Sequence, residues 1–150
     1  RMAAFEGSVV VTGSTTGTSA RTIAQLVAAA NHRIQLNKIR VGFRSVTAAD
    51  PPVLVELVRQ TDAGTSVAAT PVKKDDSIAD TLLTAGRKTF TSTEPPTTDI
   101  LSAWSVHPAG LPLVEPFAPR EVICGGGDRV GLRCTTSTSQ TVDVTMEFEE

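Results

Sequence analysis

Val142-Asp143-Val144-Thr145-Met146-Glu147-Phe148-Glu149 alternates without a break. Val142, Val144, Met146 and Phe148 fall on one side of an extended chain, and Asp143, Thr145, Glu147 and Glu149 on the other. A period of two over eight residues is the pattern of a half-buried β-strand. Upstream, residues 135–140 are a polar loop, and residues 129–134 repeat the alternation with Val130, Leu132 and Cys134. Gly125-Gly126-Gly127-Asp128 reads as a hairpin turn. Residues 120–124 and 111–117 read as short strands, as does 101–106 around Trp104, ended by His107-Pro108-Ala109-Gly110. Many short strands punctuated by Gly and Pro point to an all-β sandwich or barrel.

The first half of the chain carries the same pattern. Over residues 33–45, Ile34 and Leu36 share one face, then Ile39, Val41 and Phe43 share one. The parity changes at Asn37-Lys38, where one extra residue, a β-bulge, restores a common face. Pro51-Pro52 ends that strand, and Val53, Val55 and Leu57 alternate in the next. Thr61-Asp62-Ala63-Gly64 is a turn, and residues 67–73 read as one further strand. Residues 22–27 are a strand candidate, with a short helix competing because Ala28-Ala29-Ala30 follows. Ser77, as an N-cap with Asp80 in the first turn, predicts one or two helical turns over Ile78 to Leu83. Residues 89–100 are Pro-rich and read as loop.

Residues 1–20 read as an N-terminal arm ahead of a sandwich domain over 21–150. Gly13-Ser14-Thr15-Thr16-Gly17-Thr18-Ser19 is a flexible polar run. The Val9-Val10-Val11 cluster before it either adds to a neighbour's sheet edge or forms an ordinary edge strand of the same domain. Arg1-Met2-Ala3-Ala4-Phe5 has no signal-peptide hydrophobic region, and no run of 18 apolar residues exists to span a membrane.

Composition agrees with β structure. The 150 residues include 21 Thr and 11 Ser interleaved with Val, Ile and Leu, which favours strands over helices. A chain of this length buries roughly 68–70% of its unfolded surface and holds a core unaided. The net charge of −2 gives no reason to expect a nucleic-acid partner. The charge is uneven, with nine Lys/Arg against five Asp/Glu in residues 1–75 and five against eleven in residues 76–150. Lys38, Arg40 and Arg44 share an outward face, as do Asp143, Glu147 and Glu149. Laid side by side, the two strands form opposite-charge cross-strand pairs; the alternative is two independently solvated faces.

Chemistry-bearing residues are sparse. His32 and His107 are the only histidines, too few for a histidine–carboxylate metal cluster. Cys124 and Cys134 form neither a disulfide framework nor a zinc site, and a hairpin at Gly125–Gly127 sets them out of register, so both read as buried free thiols. Gly13 to Ser19 lacks the Gly-Lys-Ser/Thr of a phosphate loop. Asp75-Asp76 with Asp80 lacks the alternating oxygen ligands of a calcium loop. No catalytic, metal or cofactor site emerges, and the chain does not read as an enzyme. With no Tyr and a single Trp, aromatic sugar platforms are scarce as well.

Three stretches carry a resemblance. They are Asn37-Lys38-Ile39-Arg40-Val41-Gly42-Phe43-Arg44 with Ala48-Ala49-Asp50-Pro51-Pro52-Val53-Leu54-Val55-Glu56-Leu57; Trp104-Ser105-Val106-His107-Pro108 with Pro119-Arg120-Glu121; and Gly125-Gly126-Gly127-Asp128-Arg129-Val130-Gly131-Leu132-Arg133 with Val144-Thr145-Met146-Glu147-Phe148-Glu149-Glu150. Over roughly residues 30–150 the chain resembles small jelly-roll virion proteins of tailed bacteriophages, of the capsid decoration or cement type. The resemblance implies a jelly-roll β-sandwich made in the host cytoplasm that sits on the capsid surface as a homotrimer. Its partner would be the major capsid protein, whose subunits it bridges, with neither nucleic acid nor membrane involved. Phe5, Val9, Val10 and Val11 are the expected assembly contacts of the arm. A receptor- or glycan-binding head of a fibre or spike is the alternative on the same fold.

Overall fold

The computed structural model describes residues 6–77, 79–117 and 122–150. Among these residues, twelve strands form two antiparallel sheets packed face to face: β1 (Glu6–Thr15), β2 (Arg21–Val27), β3 (Ile34–Phe43), β4 (Val53–Gln60), β5 (Val67–Ala68), β6 (Val72–Lys73), β7 (Ala85–Lys88), β8 (Thr97–Val106), β9 (Leu113–Pro116), β10 (Ile123–Cys124), β11 (Arg129–Thr135) and β12 (Thr141–Glu149). The first sheet runs β10-β3-β12-β1-β6, with β9 also paired to β3; the second runs β5-β7-β2-β11-β4-β8. The connections β1–β2, β2–β3, β3–β4, β8–β9, β10–β11 and β11–β12 all pass from one sheet to the other. Leaving aside β5 to β7, the strand orders β1-β12-β3-β9/β10 and β2-β11-β4-β8 are those of a jelly roll.

The apolar faces read from the sequence line the space between the sheets. Leu36, Ile39 and Val41 of β3, Val53, Val55 and Leu57 of β4, and Val142, Val144, Met146 and Phe148 of β12 are fully buried. Burying side chains of this size contributes about 1.5–3 kcal/mol each. The β3 bulge falls where the parity changed. Glu147 faces Lys38 and Phe148 faces Leu36, which leaves Asn37 as the extra residue. β3 and β12 are neighbours, so the basic and acidic faces do lie side by side. Arg44 forks onto Asp143 at 2.8 and 2.9 Å, and Glu147 lies opposite Lys38.

Several expectations are corrected. Glu6–Thr15 is not a free arm but a strand between β12 and β6, of the two kinds the sequence left open the one internal to the domain. Its polar end is ordered by a bulge at Gly13, whose positive φ (67°) suits glycine, and by a hydrogen bond from the Gly13 amide to Asp143 (2.8 Å). No helix occurs among the described residues. Asp75 instead accepts from both the amide (3.0 Å) and the hydroxyl (2.5 Å) of Ser77, an Asx turn that competes with helix initiation. Residues 67–73 are two strands in different sheets, β5 and β6. The glycine run does not close a hairpin; it links β10 in one sheet to β11 in the other. β8 begins at Thr97, inside the stretch read as loop, and Arg120 lies outside the described residues.

Candidate functional site

Four loops meet at one end of the sandwich because β1, β3, β8 and β11 all finish there: residues 16–20, 44–52, 107–112 and 136–140. They are tied to one another by side chains. The Gln140 amide N–H donates to Thr16 Oγ1 (2.9 Å), and the Thr16 N–H donates to the Gln140 carbonyl (2.9 Å). Gln140 Nε2 donates to Asp50 Oδ2 (3.0 Å), which also accepts from Ser45 (2.5 Å). These hydrogen bonds, Ser45 first and then Gln140, hold the Asp50 carboxyl below its ordinary value. His107 Nδ1 accepts from the Ala109 amide (3.1 Å), so the ring proton sits on Nε2, which donates to the Ala48 carbonyl (3.1 Å). His107 therefore staples two loops. From this tied platform Val46 and Leu111 project with 95% and 89% exposure.

The outer face of the first sheet is mixed in character. One row across it reads Val10, Thr145, Arg40, Val114, with Val10 56% and Val114 48% exposed at its ends. The next row contains Glu147, which Lys74 approaches to 3.0 Å. Burial raises the Glu147 carboxyl, but the hydrogen bond and charge of Lys74, together with the charges of Lys38 and Arg40, outweigh it and leave a net lowering.

Of the expected assembly contacts, Phe5 lies outside the described residues. Val9 and Val11 are buried and point into the chain's own core, so only Val10 is offered to a partner. Trp104 is half-buried against the core and is not a free-standing platform. Cys124 and Cys134 are free and buried; burial first, then a nearby acid, pushes their thiols up to about 11 and about 12. That makes them poor nucleophiles. No group of three or more His, Cys, Asp or Glu side chains suited to a metal ion occurs among the described residues. The described residues hold no helix long and apolar enough to cross a membrane.

Sequence periodicity missed a polar layer on the outer face of the second sheet. Arg129 Nη1 donates to Gln25 Oε1 (2.9 Å), Gln25 Nε2 to Gln60 Oε1 (2.8 Å), and Gln60 Nε2 to Thr22 Oγ1 (2.7 Å). The Thr22 amide and hydroxyl both donate to Glu94, and Arg133 pairs with Glu56 at 3.1 Å. Every buried side-chain polar atom here has a partner, as a stable buried network requires. Recesses lined by described residues flank the sandwich. One, of about 550 Å³, is apolar and lies among Ala68, Ala69, Pro71, Val72, Leu82 and Ala85. Another, of about 370 Å³, is polar and lies along the seam between β1 and β2.

Comparison with known proteins found no matching family model, no similar curated protein and no similar solved structure.

Proposed function

We propose that the chain is a structural virion protein of the capsid decoration type, a homotrimer that binds the major capsid protein on the outer shell and bridges its subunits without catalysing a reaction. The observation that carries this reading is the tied loop platform presenting Val46 and Leu111. An apolar side chain on a rigid base gains burial on contact and loses little conformational freedom. The resemblance to phage jelly-roll virion proteins supplies the setting. Several modest contacts per trimer then combine by effective concentration into firm attachment.

Imaging the native particle tests the location directly, and sedimentation equilibrium tests for about three times the 15.7 kDa of one chain. Co-sedimentation with stripped shells tests the platform. The Val46→Asp, Leu111→Asp double variant should fold normally and bind at least tenfold more weakly. Unchanged binding, or absence of the protein from the shell exterior, refutes the reading. A glycan-binding head has one observation in its favour, the polar recess along the seam.

A further inference from the structure

We propose that the recess between β1 and β2 is a binding site for an acidic monosaccharide, a sugar ring bearing a carboxylate. The inference deepens the glycan-binding reading and is independent of whether the chain sits on a capsid.

The site arises from where strands stop. β6 pairs only with Gly7 and Ser8 of β1, so from Val9 onward one edge of β1 has no partner strand. β7 pairs with β2 only from Ala24 to Val27, which leaves the start of β2 open as well. The two open edges face each other across a recess of about 370 Å³. This is within the ~300–1,000 Å³ of small-molecule pockets. Its lining includes Thr12, Ser14, Arg21, Lys88, Thr89 and Thr91. Hydroxyls and open-edge peptide groups both donate and accept, which is what a sugar's hydroxyls require.

Two further observations point to an anionic group on that sugar. Arg21 and Lys88 line the recess, and neither has an ion-pair or hydrogen-bond partner among the described residues. This is notable in a chain of net charge −2 in which Arg44, Lys74 and Arg133 are each matched to a carboxylate. Glu94, which approaches Thr22, is held there by the Thr22 amide and hydroxyl. Thr89 has φ of 55°. A β-branched residue in the left-handed region is strained, and such strain clusters at active sites and ligand clamps, held there by the surrounding structure. It falls between Lys88 and the buried Phe90, at the wall of the recess.

The test is a titration of the isotope-labelled chain with glucuronic acid, followed by amide NMR, with glucose as the neutral sugar and inorganic sulfate as the bare anion. Glucuronic acid should give saturable shifts confined to residues 12–15, 21–23 and 88–91. Its affinity should fall at least tenfold in the Arg21→Ser, Lys88→Ser variant, and severalfold in the unaltered chain when salt is raised. The salt series needs no variant to fold. Glucose should shift little, and sulfate should bind several times more weakly than glucuronic acid. Absence of saturable shifts overturns the proposal. So does undiminished binding by the folded double variant, glucose binding as well as glucuronic acid, or sulfate matching it, which would mean attraction of charge alone.

Discussion

Gly131 sits under the amide of Gln60, and this contact makes a sharp test of the polar layer. A Cβ built on Gly131 lies 2.9 Å from Gln60 Cδ and closer still to Oε1, and its nearest neighbours all belong to that one side chain. Gly131→Ala therefore expels the Gln60 amide, and with it the hydrogen bonds to Gln25 and Thr22. Leaving a buried polar group unpartnered costs about 1–3 kcal/mol, so the two together cost about 2–6 kcal/mol. Replacing glycine at an ordinary strand backbone returns about 0.4–1 kcal/mol through the unfolded state. The net loss is about 1–6 kcal/mol, against the ~5–15 kcal/mol typical of a domain. Urea unfolding reads it as a lower midpoint at unchanged slope. The decisive comparison uses Gln60→Ala as background. There the obstruction is gone, and Gly131→Ala should stabilise by about 0.4–1 kcal/mol. Equal destabilisation in both backgrounds refutes the reasoning, because the cost would then come from the backbone.

Three other outcomes are expected. The Arg44 hydrogen bond holds the Asp143 carboxyl below its ordinary value against a smaller opposing effect of burial. The pair therefore stabilises fully above the unfolded carboxyl value of about 3.9 and loses this as pH falls through the lower folded value. Asp143→Asn should flatten the acid fall of the urea midpoint below about pH 5; an unchanged slope contradicts the pairing. Both thiols should resist Ellman's reagent in the native protein at about pH 8 and react stoichiometrically in denaturant, since desolvation disfavours the thiolate; fast native reaction contradicts their burial. Deleting residues 1–20 should abolish cooperative unfolding, because it removes Val9 and Val11 from the core and strips one edge of β12. A folded deletion product would restore the idea of a dispensable arm.

The long strands were legible because their inward faces must be apolar, and that requirement survives in the alternation. It even located the β3 bulge, since only one extra residue at Asn37 keeps Leu36 and Ile39 on one face. The acidic and basic rows found each other for a related reason: charges on neighbouring outward faces are close enough to select opposite signs. β5, β6 and β10 carry two residues each, too few for any period to register. Nor does a glycine run say whether it closes a hairpin or crosses between sheets, because both need the same tight backbone. Nothing in the alternation marks Gln25 and Gln60 as interior. Only the folded packing brings Arg129, Thr22 and Asp62 within reach and makes them interior.

The first strand had the largest consequence for function. Gly, Ser and Thr are frequent both in mobile segments and in tightly bonded bulges, so composition favoured an arm where the Gly13 bulge and the Thr16–Gln140 tie fix the chain. Once β1 belongs to the sheet, residues 6–15 have no reach. Attachment would then be by surface burial, with Val10, Val46, Leu111 and Val114 among the exposed apolar groups available. Contacts of that kind are individually weak and geometrically demanding. The decoration reading therefore depends on trimerisation more than an arm-based mechanism would: a monomeric variant should lose most of its hold on a shell even with every contact residue intact.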